Sequence, residues 1–264
     1  MIKYNDFPIG IFDSGVGGTS IWKEINALLP YEDTIYLSDS KNAPYGEKSK
    51  QAIINLSIKN TEFLLNKNCK LIVVACNTAT TNAIKVLREK YDVPFIGIEP
   101  AIKPASLQTK TNTIGILATK GTLNSELFER TSNLINQKII RKEIIGKGLV
   151  ELIENGKLYS NEMTKLLSSY IIPLLKENVD CLVLGCTHYP YLIPQIREIV
   201  GDKIQIIDSG EAVAKQTKVV LEKNQLVNKP KNNSYHQFFI NKDKKTLEML
   251  ISKNDCIKIE EKDF

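Results

Sequence analysis

Apolar positions along the chain fall into two alternating rhythms. Short continuous runs bounded by Gly, Pro, Asp or Asn read as buried strands, and longer stretches with apolar residues every three or four positions read as helices. Strands are predicted at 8–12 (PIGIF), 34–38 (TIYLS), 70–75 (KLIVVA) and 95–98 (FIGI) in the first half. They are predicted at 113–118 (TIGILA), 138–145 (KIIRKEII), 180–185 (DCLVLG) and 204–207 (IQII) in the second. Helices are predicted over about 19–29, 48–66 and 79–91, then 122–135, 148–155, 160–177 and 190–199. A tail adds a helix near 210–224, a strand at 236–240 and a helix near 244–253. Strands alternating with helices predict an α/β protein whose sheets are mainly parallel.

The two halves read as copies. IGIF at 9–12 returns as IGIL at 114–117, 105 residues on, and Cys76 returns as Cys186, 110 residues on. FIGIEP at 95 is answered by IQIIDS at 204, an offset of 109. The expected organisation is a first lobe over residues 1–98, a second over 99–208, and a C-terminal segment over 209–264. Two similar lobes about a pseudo-twofold axis would leave a cleft between them.

Composition narrows the function classes. The chain has 264 residues, 42% hydrophobic and 25% charged, which is ordinary for a globular protein. No apolar run approaches the ~18 residues of a membrane span, and the opening MIKYNDFPIG leads directly into a strand pattern, so neither a membrane helix nor a signal peptide is expected. Net charge is +5 with the basic residues scattered, which argues against a nucleic-acid surface. Five cysteines, none in a CxxC pair, and only two histidines make a disulfide framework and a Cys/His metal site poor expectations.

The candidate chemistry sits where strands end. Ligands of open α/β sheets bind beyond the carboxyl ends of the strands, where helix N-termini also point. The first such end is DSGVGG (13–18), whose glycines could let the backbone cradle an anion. The second is CNT (76–78), with Asn77 or Thr78 as the expected helix cap and Cys76 at a position that favours a thiolate. The third is CTHYP (186–190), with Thr187 as the expected cap, His188 as a partner for Cys186, and Pro190 in a first helical turn. One strand-end cysteine is usually a packing residue. Two at equivalent positions of two lobes suggest an acid/base pair approaching one carbon from opposite faces, which is the chemistry of stereochemical inversion.

Together FDSGVGG (12–18), APYGEKS (43–49), VVACNTAT (73–80) and LGCTHYP (184–190) resemble the cofactor-independent aspartate/glutamate racemase family. The resemblance runs in order over nearly the whole chain, and the Thr187–His188 pair is similar to its glutamate type. It implies a cytoplasmic bacterial isomerase that makes D-glutamate for peptidoglycan. Neither cofactor nor metal is implied, and glutamate is the partner molecule. Cys76 and Cys186 are implied as the acid/base pair, assisted by Asp13, Glu154 and His188. Substrate contacts are implied for Asp13, Ser14, Tyr45, Gly46, Asn77, Thr78, Thr187 and His188, with Thr119 and Thr122 nearby. The family usually has Pro where this chain has Glu151, which leaves open whether Glu151 or Glu154 faces the cleft. The resemblance also implies that the segment after 208 returns to the first lobe. Oligomeric state stays open, a homodimer included.

Two other readings compete. A two-lobed binding protein for a small anion would give the paired cysteines no purpose, and a thiol redox protein would be expected to carry CxxC. Cys181 reads as strand packing, Cys69 and Cys256 as bystanders, His236 as structural, and Trp22 as a packing residue of the first helix.

Overall fold

The computed structural model describes residues 6–251 and 255–264. The first half contains β1 (Ile9–Asp13), α1 (Thr19–Leu28), β2 (Thr34–Ser38), α2 (Lys50–Leu65), β3 (Leu71–Val74), α3 (Asn77–Lys90) and β4 (Phe95–Gly97). After α4 (Ile102–Gln108) come β5 (Thr113–Ala118), α5 (Lys120–Leu123), α6 (Glu126–Asn133) and β6 (Ile140–Ile145). Next are α7 (Leu149–Glu154), α8 (Asn161–Leu175), β7 (Cys181–Gly185), α9 (Ile193–Val200) and β8 (Gln205–Ile207). The chain ends in α10 (Gly210–Lys223), β9 (His236–Ile240), α11 (Lys245–Leu250) and β10 (Ile257–Glu261).

Two sheets result, ordered β10-β9-β2-β1-β3-β4 and β6-β5-β7-β8, with parallel pairing throughout. Four strands of the first sheet, β2-β1-β3-β4, repeat the order of the second, strand for strand. The two-lobed α/β reading therefore has a topological basis: β1 corresponds to β5 and β3 to β7. Helices cover both faces, so central strands are apolar at consecutive positions. In β1 and β3, Ile9, Ile11, Leu71 and Val73 join one core, while Phe12, Ile72 and Val74 join the core on the opposite face.

The structure departs from the sequence reading at several joints. Two elements were not anticipated. In α4, Pro104 looks like a breaker, yet it lies in the first turn, where its missing N–H has no helical partner to lose. In β10, IKIEE is half exposed on the sheet edge and lacks a strong apolar signal. The single helix expected over 122–135 is two, because Ser125 turns out of the helix and its Oγ caps α6 at Phe128 N. The helix expected from 190 opens with a 3-10 turn at Tyr189–Leu192, with Pro190 in that turn.

The C-terminal segment is stitched to the first sheet. β9 pairs with β2, and β10 pairs with β9. Before β9, Asn228 N donates to Glu32 Oε1 at 2.7 Å, and Glu32 Oε2 receives Lys70 Nζ at 2.6 Å in a fully buried pair. His236 and Trp22 both bond the Thr34 hydroxyl and stack edge-on, so both are packing residues as expected.

Candidate active site

Strand β3 delivers Cys76, and here the capping expectation is corrected. Helix α3 starts at Asn77, and Cys76 itself is the cap, its Sγ accepting from Ala79 N at 3.4 Å. Ser14 Oγ lies 3.5 Å from the same sulfur. Asn77 and Thr78 are thereby released from capping. Among the described residues, both amide atoms of buried Asn77 have no partner. The Thr78 hydroxyl meets Thr119 Oγ1 at 2.8 Å and Thr122 Oγ1 at 3.2 Å, across to the second sheet. Strand β7 delivers Cys186 in the equivalent place. Thr187 does not cap either: its hydroxyl donates to Asp13 Oδ1 at 3.3 Å, and its carbonyl accepts from Ser20 Oγ at 2.9 Å.

The two strand ends meet at one narrow cavity. Cys76, Asn77 and Thr78 line one side, Cys186, Thr187 and His188 another, and Ser14, Pro44, Tyr45, Gly46, Thr119, Val150 and Gly185 complete it. About 10 Å³ is open to the centre of a water molecule. No arginine lines it. Asp13, Thr122 and Glu154 stand behind the wall and bond to residues that form it. Tyr45 faces the cavity, but its hydroxyl is used elsewhere, on Asp39 Oδ2 at 2.5 Å.

A buried relay backs Cys186. His188 Nδ1 lies 3.7 Å from the Cys186 sulfur, and His188 Nε2 meets Glu154 Oε1 at 2.6 Å. Glu154 also accepts from Val16 N at 2.6 Å and Ser40 Oγ at 2.6 Å. Glu154, not the half-exposed Glu151, is thus the carboxylate of α7 that reaches the site. Burial alone would lower the proton affinity of His188, but Cys186 and Glu154 outweigh it and hold the imidazole well above its usual range. Burial would raise Glu154, but His188, Ser40 and Val16 N hold it below the usual carboxylate value.

The other thiol has no such relay. Burial first, then the charge of Asp13, push Cys76 well above the usual thiol value. Burial also raises Asp13 to about 6, against the lowering pull of His188 and of Gly18 N, which donates to it at 2.8 Å. The two cysteines are therefore equivalent in topology and unequal in electrostatics.

The glycine loop DSGVGG does cradle an anion, but the anion belongs to the chain. Val16 N holds the Glu154 carboxylate, and a Cβ at Gly15 would meet Glu154 Oε1 at 1.9 Å. A Cβ at Gly17 would meet His188 Nδ1 at 2.3 Å. These glycines let the relay lie directly on the backbone.

Sequence reasoning did not find Ser40, which binds Glu154 from the first lobe. It also missed the larger cavity across Gly46 and Gly121 from the site. That cavity offers about 550 Å³ and is flanked by Lys48, Lys50, Lys85, Lys120 and Arg130. Apart from Lys48 and Lys50, these cations lie far apart in sequence, so no local run signals the cluster. None of the five cysteines is in a disulfide. Among the described residues no cluster of His, Cys, Asp or Glu is arranged to hold a metal, and no helix is long and apolar enough to cross a membrane.

Known proteins share this sequence pattern and fold. Residues 9–217 match the family described as Asp/Glu/Hydantoin racemase. A glutamate racemase of Herpetosiphon aurantiacus is 46% identical over 226 residues, covering 84% of this chain and 88% of that protein. Among solved structures, a glutamate racemase isoform of Bacillus anthracis superposes with a TM-score of 0.85 at 30% identity, covering 97% of each chain. The glutamate racemase of Francisella tularensis, in complex with D-glutamate, gives 0.83 at 30% identity, again covering 97% of each chain. With two repeated parallel sheets, a cysteine at the end of each, and matches spanning most of its length, the chain belongs to the Asp/Glu/Hydantoin racemase family.

Proposed function

We propose that this protein interconverts L- and D-glutamate by two-thiol proton transfer at Cα, without a cofactor, and supplies D-glutamate for peptidoglycan in the cytoplasm of a bacterium. The observation that carries the reading is the pair of strand-end cysteines lining one cavity. Substrate identity is supported by the D-glutamate held by the Francisella relative.

The unequal thiols define a starting state. His188 supplies the positive charge that a thiolate at Cys186 needs, while Cys76 keeps its proton. Cys186 takes the Cα hydrogen as a proton, and the C–H electron pair delocalises into the α-carboxylate. Cys76 then gives its proton to the opposite face of Cα, forming the mirror-image product. Thiol and thiolate have changed places, so a turnover from the other enantiomer, or exchange with solvent, resets the pair. The developing charge lies near the N-terminus of α3, where backbone N–H groups favour an anion. Asn77, with both amide atoms unpartnered, and the hydroxyls of Ser14, Thr78 and Thr119 supply neutral contacts for the amino and carboxylate groups.

The test uses L-glutamate in D₂O with no added cofactor. Ellipticity of the amino acid should decay to zero while deuterium enters Cα. Glutamate binding with no exchange at Cα would leave a binding protein instead, and faster turnover of aspartate would change the substrate.

A further inference from the structure

We propose that Asn241, in the C-terminal segment, is a positioning residue that holds the Tyr45–Gly46 wall of the cavity in place through Asp39. The description of that wall as a substrate surface rests on the function proposed above. Asn241 follows β9, whose pairing with β2 carries it to the loop after β2. There its Nδ2 donates to Asp39 Oδ1 at 2.6 Å, and its Oδ1 accepts from Lys41 N at 2.9 Å. Its own N–H reaches Ser38 O at 3.3 Å, so both ends of the residue are fixed.

Asp39 is the node. It is 1% exposed, and among the described residues its side-chain partners are three neutral donors: Asn241, Asn42 Nδ2 at 2.8 Å and the Tyr45 hydroxyl. The ammonium of neighbouring Lys41 turns away to Asp263. A buried carboxylate held only by neutral donors depends on each of them, because a lost donor leaves charge unsolvated. Tyr45 is in turn held by Asn60 Nδ2 at 3.1 Å. Tyr45 and Gly46 line the cavity together with Cys76, Tyr45 and Cys76 share one packed core, and Gly46 packs so closely on Thr119 that a Cβ there would lie 2.8 Å from the Thr119 Cβ. The Tyr45–Gly46 wall is therefore held by a residue 24 positions beyond the stretch matched by the family, which ends at 217.

The test compares Asn241→Ala and Asn241→Asp with the parent protein. The Asp variant keeps the acceptor for Lys41 N but replaces the donor to Asp39 with a like charge. Alkylation of each cysteine by iodoacetamide, read peptide by peptide, reports local opening without requiring activity. Cys76 should react at least about tenfold faster in both variants, with Cys181, buried in the second sheet, changing by less than about twofold. KM for L-glutamate should rise about tenfold with kcat within about threefold. Tyr45→Phe, which cuts the relay at its other end, should speed Cys76 similarly and add little to Asn241→Ala. A Cys76 rate within about twofold of the parent, or equal acceleration at Cys181, overturns the proposal. If the parent neither binds nor turns over glutamate, the proposed function fails, and the alkylation ratio still decides the role of Asn241.

Discussion

At the scale of single residues, two cysteines with the same topological address have different neighbours. Cys186 has an imidazole backed by a carboxylate, and Cys76 has a helix N–H, a serine and a nearby buried carboxylate. Since each direction of the proposed reaction uses both sulfurs, Cys76→Ser and Cys186→Ser should each lower racemisation at least about a hundredfold in both directions. Cys69→Ala and Cys181→Ala should keep activity, measured by ellipticity of the amino acid. Asp13 gives a pH-dependent prediction. Its proton affinity is raised in the folded state, from 3.8 to about 6, so its contribution to stability is full below pH 3.8 and is lost as pH rises through about 6. That gap corresponds to about 3 kcal/mol. Asp13→Asn should therefore raise the melting temperature relative to the parent more at pH 8 than at pH 4, while weakening catalysis. An equal shift at both pH values would mean that Asp13 is not held against its charge.

Elements depend on a few buried polar joints. Lys70, just before β3, pairs with Glu32 before β2, and Glu32 also holds the connection to β9 through Asn228. Burial lowers the proton affinity of Lys70, and Glu32 opposes that shift. Glu32→Ala would take the buried Lys70 ammonium from its carboxylate, leaving it the neutral Asn228 Oδ1 at 3.0 Å, and would break the bond to Asn228 N, at a cost of about 3–5 kcal/mol in urea denaturation. Glu32→Ala combined with Lys70→Met should recover part of the loss, because no uncompensated charge remains. Most elements were readable from periodicity. Those that were not had identifiable reasons: Pro104 is harmless in a first turn, Ser125 caps a new helix, and β10 gains order from its partner rather than from its own residues.

At the scale of the whole molecule, the lobes are tied on both sides of the cavity. Glu154 and Thr187 reach Val16, Ser40 and Asp13 on one side, and Thr78 meets Thr119 on the other. The space between them, about 10 Å³, holds about one water, so an amino acid enters only when the ties loosen. A ligand that contacts both lobes should then stabilise them together. Glutamate at about a hundred times its Kd should add about 2.7 kcal/mol and keep a single calorimetric transition. Two transitions, or a shift confined to one of them, would refute a ligand shared by the lobes.

The sequence alone determined the alternation of strands and helices, the internal repeat, and the two cysteines at equivalent strand ends. These are local or periodic features, legible because burial on both faces of a parallel strand demands a run of apolar residues, and because duplication preserves spacing. It also carried the family motifs. Only the tertiary structure decided how those residues are used. It made Cys76 its own helix cap and turned Thr187 toward Asp13. It chose Glu154 over Glu151 and brought Ser40 and Asn241 to the site from distant stretches. Hydrogen bonds between residues a hundred positions apart leave no periodic trace, and their partners are set by how the sheets and helices pack.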